Sequence, residues 1–216
     1  MAIGYDAIST LFQPSAGTSF SVDHTAAGSN RLAVVIVHLM RNSDAGIAIT
    51  SATYGGNAMT ERATRENRHV AAGKTYRISI YTYVAPPTSS TSIAITSDAT
   101  SIATVMAVMS FTGVDQTTPY DANATADISV SATGTATVAV ATANAWVVGG
   151  LHMRGGDTDP FTAGTGVVEK YDGESGPDTT GEIGAAGGYR EATSTGNYAL
   201  EWTASVTDTG VIAAIS

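Results

Sequence analysis

Residues 31–40, RLAVVIVHLM, constrain the fold of this chain more than any other stretch. From Leu32 onward, nine consecutive residues carry no charge, and four of them are β-branched. A continuous apolar run of this length is typical of a strand buried on both faces or of a buried helix segment. The β-branched side chains favour the strand, because their restricted χ1 angles suit a pleated surface. We therefore expect this strand to lie at the centre of the core.

Short apolar or alternating runs recur along the rest of the chain, separated by Gly, Asn, Asp, Ser and Pro. The predicted strands cover residues 5–11, 19–24, 32–40, 47–54, 76–84, 92–96, 102–112, 128–131, 135–141, 146–153, 166–171, 199–204 and 211–215. Many short strands at fairly even spacing indicate a sandwich or a barrel. Residues 58–73 lack an apolar helical stripe and are predicted to be a basic loop. Residues 154–195 are predicted to be long Gly- and Asp-rich surface loops, interrupted only by strand 166–171.

The two halves of the sequence resemble each other weakly. Residues 19–40 and 135–153 each place a polar strand and a turn before an apolar strand. Residues 92–111 and 198–215 each lead from an alternating strand into an Ala- and Val-rich one. We expect one domain, residues 1–216, built from similar halves 1–118 and 119–216 that pack face to face as one sandwich. Two independent domains are a less favoured alternative, because no Pro- and Ser-rich linker separates the halves.

Composition and charge exclude several classes of function. The chain has no cysteine, so disulfide frameworks and thiolate chemistry are not available. Residues 1–118 carry seven basic and seven acidic side chains, whereas residues 119–216 carry three basic and twelve acidic ones. This acidic half argues against nucleic acid and anionic membranes as partners.

The apolar runs are too short for a membrane-spanning helix. The first ten residues lack a secretory signal pattern, so we expect synthesis in the cytoplasm.

Four histidines, His24, His38, His69 and His152, are too far apart in sequence to offer a local metal pair. His38 and His152 occupy corresponding places in the two apolar strands. They could form a paired metal or acid–base site, or each could be a strand-end residue bonded to the backbone. No Gly-x-Ser-x-Gly elbow and no phosphate-binding glycine loop is present. The sequence therefore predicts no enzyme and no cofactor.

Two acidic pairs, Asp157 with Asp159 and Asp172 with Glu174, have a spacing that suits calcium ligands or solvated turns. Carboxylates for glycoside hydrolysis could be drawn from the same set, which leaves a hydrolase as a third hypothesis, although nothing selects a pair. An activity of that kind should vanish on changing Asp157 and Asp159.

The two tryptophans, Trp146 and Trp202, lie at the start of an apolar strand and inside an alternating one. Core packing explains both. A platform on which a sugar ring stacks is the alternative for an exposed tryptophan.

Several segments carry a resemblance: residues 5–9, 24–35, 53–60 (TYGGNAMT), 110–119 (SFTGVDQTTP), 200–203 and 213–215. Together they resemble a family of jelly-roll-like β-sandwich domains that recur in tailed-phage virion proteins and large bacterial surface proteins. The resemblance implies a jelly-roll-like fold and no catalytic residues. It implies structural roles for Gly55 and Gly56 in a tight turn, for Arg31 before the central strand, and for Asp115, Gln116 and Pro119 in the crossover between the halves.

The same resemblance implies a function as a structural virion protein. The expected role is a capsid decoration or cement protein on the outside of a phage head, whose partner is the major capsid protein or another virion protein. A symmetric homo-oligomer such as a trimer is expected. Five basic side chains would dock on the capsid: Arg62, Arg65, Arg68, Lys74 and Arg77. The alternative is a carbohydrate- or receptor-binding module of a fibre or adhesin, which would use loops 154–195 and an exposed tryptophan.

Overall fold

Strands make up nearly all of the regular structure. A computed structural model describes residues 2–155, 160–176 and 181–216. In the N-terminal part the strands are β1 (Gly4–Gln13), β2 (Gly17–His24), β3 (Leu32–Arg41), β4 (Ile49–Tyr54), β5 (Asn57–Ala58), β6 (Thr60–His69), β7 (Lys74–Val84), β8 (Thr91–Ser101) and β9 (Ala103–Thr112). In the C-terminal part they are β10 (Asn123–Val140), β11 (Ala145–Arg154), β12 (Thr162–Ala163), β13 (Val168–Glu174), β14 (Ile183–Ala192) and β15 (Gly196–Ile215). A 3₁₀ turn at Val70–Ala72 is the one other regular element among the described residues, so the predicted all-β class is confirmed.

The N-terminal part forms two antiparallel sheets that face each other. Sheet I has the strand order β1-β9-β3-β7-β6, and sheet II has the order β2-β8-β4-β5. Strands β1 to β4 alternate between the two sheets, as do β7 to β9. This alternation is the arrangement of a jelly roll, in which two sheets are wound from Greek keys.

Strand β3 is buried on both faces because sheet I lies between two other sheets. Val34 and Ile36 belong to a cluster shared with the C-terminal part. Val35 and Val37 belong to a cluster shared with sheet II. The run at residues 32–40 therefore lacks polar alternation because neither of its faces meets water.

The C-terminal part contains a third antiparallel sheet. Sheet III has the order β10-β15-β11-β14-β13, and β12 pairs with β15. The antiparallel pair of β10 and β15 is long and breaks its register between Ile128 and Thr133. At this bulge Val130 has a φ of 45° and is 71% exposed. Beyond the bulge this strand pair packs over the outer face of β11, in a cluster that joins Val138 and Leu151.

The strand orders of sheets I and III correspond. In each, the first strand pairs with the last, and the last pairs with the apolar central strand. Two further strands, consecutive in sequence, complete the sheet: β7 and β6 in sheet I, β14 and β13 in sheet III. His38 of β3 lies opposite Val105 and Ile78. His152 of β11 lies opposite the equivalent strands, at Val211 and Ala185. The two histidines therefore occupy equivalent positions in two sheets of the same topology.

The predicted basic loop at residues 58–73 is wrong, since most of it is strand β6. This strand pairs with β7 along its whole length. It was missed because the outward face of a sheet-edge strand is polar, and Ala63 is its one fully buried residue. The polar composition of β6 reflects its position at the edge of sheet I.

The predicted loops at residues 154–195 are also wrong in part, since β14 is a strand with eight buried residues. Its sequence, IGAAGGYREA, is rich in Gly and Ala and carries little of the apolar bulk by which strands are recognised. The small side chains are needed here: a Cβ at Gly187 would come within 2.5 Å of the Tyr171 ring. Edge strand β13 thus covers β14 with a large side chain.

Among the residues that the structure describes, no helix has the length and apolarity needed to cross a membrane.

Candidate functional site

A cleft of about 620 Å³ lies at one end of the interface between sheets I and III. We call it the junction cleft. The start of β3, the end of β9, the start of β11 and the segment 113–121 contribute to its walls. Its floor is apolar and includes Leu32, Val34 and Val148, which also belong to the core between the sheets. The cleft is therefore an open end of the packed core.

Three aromatic side chains line the junction cleft: Phe111, Tyr120 and Trp146. The indole of Trp146 stacks on Tyr189 with ring centroids 4.4 Å apart and an interplanar angle of 22°. Phe111 meets the same indole edge to face at 5.7 Å. Trp146 is only partly buried. These contacts fix its orientation before any ligand arrives, which lowers the entropic cost of binding.

The polar wall of the cleft is held by side chains that bond to the backbone. Asp115 Oδ1 accepts hydrogen bonds from the amides of Thr117 at 2.7 Å and Thr118 at 3.0 Å. These bonds favour the ionised carboxylate and lower the pKa of Asp115. Asp121 Oδ2 accepts from the amides of Ala141 at 2.6 Å and Thr142 at 3.2 Å. Asp115 thereby stiffens its own segment, and Asp121 ties that segment to the residues that follow β10.

The structure brings together four of the residues to which the resemblance assigned structural roles. Gln116 Nε2 donates to the Arg31 carbonyl at 3.2 Å, and Arg31 Nε donates to the Pro86 carbonyl at 2.7 Å. Gln116, Asp115 and Pro119 all line the junction cleft. Hence residues 113–119, part of the segment 110–119 considered in the sequence analysis, form one wall of the cleft.

The two glycines of the remaining structural motif lie elsewhere, in the hairpin between β4 and β5. Gly55 and Gly56 have φ angles of 57° and 81°, which side chains rarely adopt. The Gly55 amide donates to the Ser92 carbonyl of β8 at 2.8 Å. The motif therefore makes a tight turn at the edge of sheet II.

The five basic residues predicted to dock on a capsid all have partners within this molecule. Arg65 forms a bidentate ion pair with Asp127 of β10, and the guanidinium of Arg62 lies 4.7 Å from the ring centre of Tyr120. The other three contact acidic or amide groups of the N-terminal part: Arg68 with Glu66, Arg77 with Glu61 and Glu66, and Lys74 with Asn42. Two of the five basic side chains, Arg62 and Arg65, therefore join the N-terminal to the C-terminal part, and Arg65, Arg68 and Arg77 are paired with carboxylates.

His38 and His152 meet in the core between sheets I and III. Their Nδ1 atoms are 3.2 Å apart, and His38 Nε2 lies 2.8 Å from the Tyr171 hydroxyl. Two neutral rings satisfy the first contact, because one Nδ1 carries a proton and the other accepts it. Burial lowers the pKa of His152 to about 3 and also lowers that of His38. The two histidines bond to side chains, not to the backbone as the strand-end alternative expected. Both rings are shielded from solvent.

A second histidine network was not anticipated from sequence. His24 Nδ1 lies 3.0 Å from Ser9 Oγ, and His24 Nε2 lies 3.0 Å from Ser110 Oγ. Ser110 Oγ donates in turn to Asp6 Oδ2 at 2.7 Å. A hydroxyl separates the imidazole from the carboxylate, unlike the direct His–Asp contact of hydrolase triads. Since its members come from β1, β2 and β9, the network ties sheet I to sheet II at their open edge.

The acidic pairs have different outcomes. Asp157 and Asp159 lie outside the described residues. Asp172 and Glu174 lie on β13, and Asp172 Oδ2 accepts from the Phe161 amide at 2.9 Å. Across residues 2–155, 160–176 and 181–216, no three His, Asp or Glu side chains are grouped so as to hold a metal ion.

The two tryptophans differ sharply. Trp202 is fully buried and its Nε1 donates to Glu169 Oε2 at 3.0 Å, so it packs in the core. Trp146 lies in the wall of the junction cleft. The sequence identified both residues but could not distinguish them, because the walls of the cleft come from segments more than a hundred residues apart.

Comparisons with protein-family models, with curated proteins and with solved structures found no match to this chain.

Proposed function

We propose that this chain is a structural protein of a tailed-phage virion that acts by binding, not by catalysis. The resemblance of residues 53–60 and 110–119 to virion domains supports the virion role. A rigid β scaffold in which buried histidines bond to other side chains, without a metal cluster among the described residues, supports a binding role. Detection of the chain by mass spectrometry in purified phage particles would test the virion role, and its absence from such particles would overturn it.

Within that role, the observation that carries most weight is the junction cleft, which favours a carbohydrate- or receptor-binding module. A preoriented indole offers an apolar surface to the C–H face of a sugar ring. Fixed amide, hydroxyl and carboxylate groups around it can bond to the sugar hydroxyls. An apolar floor with a few fixed polar groups is the usual composition of small-molecule sites, which measure about 300–1,000 Å³.

A glycan array followed by fluorescence titration tests this binding role. The chain contains two tryptophans, so Trp146→Phe and Trp202→Phe form a matched pair. A sugar that binds in the junction cleft should change the emission of wild type and of Trp202→Phe, which keeps the cleft indole. Trp146→Phe should lose this response. Binding with an unchanged response in Trp146→Phe would place the sugar elsewhere.

The role of a capsid decoration protein, the first expectation from the resemblance, is the second candidate proposed here. It requires a docking surface, and the side chain of Arg68 is 55% exposed despite its contact with Glu66. Cosedimentation with undecorated capsids tests it, with Arg68→Glu and Lys74→Glu as variants and Arg190→Glu in the C-terminal part as control. Docking through the basic stretch predicts loss in the first two variants alone. No cosedimentation of the wild type would exclude the decoration role.

A further inference from the structure

A second cavity lies beside the junction cleft and shares Trp146 with it. This cavity has a volume of about 350 Å³ and is lined by Glu191 and Thr193 at the end of β14 and just beyond it. The two cavities share Ile3, Asn144 and Trp146 in their walls. The two cavities are therefore adjacent, with Trp146 in their common wall, and we call them together the groove. A ligand that fills both cavities must be elongated.

The charge of the groove restricts the ligand further. The side chains of both walls that carry a charge at neutral pH are carboxylates: Asp115, Asp121 and Glu191. No lysine, arginine or histidine stands among the described lining residues, and the nearby Arg62 lies over the Tyr120 ring. An anionic ligand would be desolvated beside like charges without a cation in the walls themselves. Sialylated, uronic-acid and phosphorylated glycans are thus disfavoured.

We propose that the groove binds an oligosaccharide without acidic groups, at least two rings long, that lies across Trp146. This inference rests on the carbohydrate-binding role and adds the length and charge class of the ligand. Sugar units on both sides of the indole occupy the two cavities, and the carboxylates accept hydrogen bonds from sugar hydroxyls. Such bonds to ionised acceptors are stronger than those to neutral ones.

Isothermal titration calorimetry with defined sugars tests the inference. The neutral probes are cellotetraose, maltotetraose and chitotetraose with their monosaccharides, and the acidic probe is tetragalacturonate. We expect at least one neutral tetrasaccharide to bind roughly tenfold or more tightly than its monosaccharide, and tetragalacturonate not to bind. Trp146→Ala should weaken that binding by about 30-fold, a typical effect of truncating a central tryptophan. Near-UV circular dichroism checks that the variant is folded, and Trp146→Phe serves if it is not.

A charge reversal in the second cavity gives an independent readout. Glu191→Lys should gain affinity for tetragalacturonate, whereas Asp44→Lys, an equal charge change at an exposed site outside the groove, should not. Equal binding of acidic and neutral probes by the wild type would overturn the charge inference. Equal affinity for monosaccharide and tetrasaccharide would overturn the two-cavity groove. If no glycan of either class binds, the carbohydrate-binding role itself fails.

Discussion

The N-terminal and C-terminal parts share a strand order but contribute side chains of different size to the interface between them. On β3 the residue two positions before the histidine is Ile36, whereas on β11 it is Gly150. Ile36 is fully buried among other large apolar side chains. Above Gly150 lies the hydroxyl of Tyr171, which reaches across from edge strand β13. One topology is thus stabilised in one part by β-branched bulk and in the other by a large ring laid over glycines.

Truncating the bulky side of this comparison should have the largest effect. Ile36→Ala removes a fully buried side chain from the centre of β3. The lost burial and the remaining cavity should lower the free energy of unfolding by about 2–5 kcal/mol. Urea denaturation followed by circular dichroism measures this change. A loss below about 1 kcal/mol would mean that the interface collapses to fill the space.

Enlarging the small side of the comparison should have the next largest effect. In Gly150→Ala the new methyl group would lie 2.4 Å from the Tyr171 hydroxyl and 2.8 Å from the Ala186 carbonyl oxygen. Overpacking of this kind costs about 1–3 kcal/mol. Tyr171→Phe removes the crowded hydroxyl but also its contact with His38 Nε2, so it should cost less in the Gly150→Ala chain than in the wild type. A double-mutant cycle measures the coupling, and strict additivity would contradict the proposed contact.

The equivalent histidines allow a test by pH. Both are neutral when folded because burial lowers their pKa, to about 3 for His152, whereas an unfolded histidine titrates near about 6.5. Between these values the unfolded state binds more protons at His152, so stability falls as pH decreases, by about 1.4 kcal/mol per pH unit. The lowered pKa of His38 acts in the same direction. His152→Asn keeps an amide near Nδ1 but should remove one of these contributions. Urea titrations from pH 7 to 4.5 measure the slope, and an unchanged slope would contradict this account.

The smallest effect is expected at the surface contact between the parts. The Arg65 and Asp127 side chains are 42% and 32% exposed. Arg65→Met should therefore lower the free energy of unfolding by less than about 1 kcal/mol. The difference from wild type should shrink in 1 M salt, because screening weakens exposed ion pairs. A salt-independent loss would indicate packing of the arginine stem instead.

The sequence predicted the elements whose burial shows in their composition. Strand β3 could be recognised because both of its faces are apolar. Strand β6 could not, since its outer face is polar, and β14 could not, since its packing requires Gly and Ala. The equivalence of His38 and His152 was visible in the sequence, but their 3.2 Å contact depends on how two sheets pack.

The candidate site was predictable only in fragments. The segment 110–119 was identified by its resemblance, and Trp146 was one of two tryptophans considered as a surface for a sugar ring. Their convergence depends on sheet III packing against sheet I, which no local pattern encodes. The predicted docking residues Arg62 and Arg65 show the converse, because their partners lie in the C-terminal part. The Tyr120 ring covers the Arg62 guanidinium, and Asp127 neutralises the charge of Arg65.

The bulge at Val130 has a consequence for how the C-terminal part opens. On one side of the bulge β10 and β15 pair within sheet III beside β11, and beyond it the same two strands pack over the outer face of β11. Because both layers are built from the same two strands, separation of the outer layer should also disturb the strands next to β11. In the N-terminal part the residues joining β1 to β2 and β8 to β9 interrupt this continuity. Amide exchange in the C-terminal part should accordingly occur as one cooperative unit, whereas sheet II should be able to exchange ahead of sheet I.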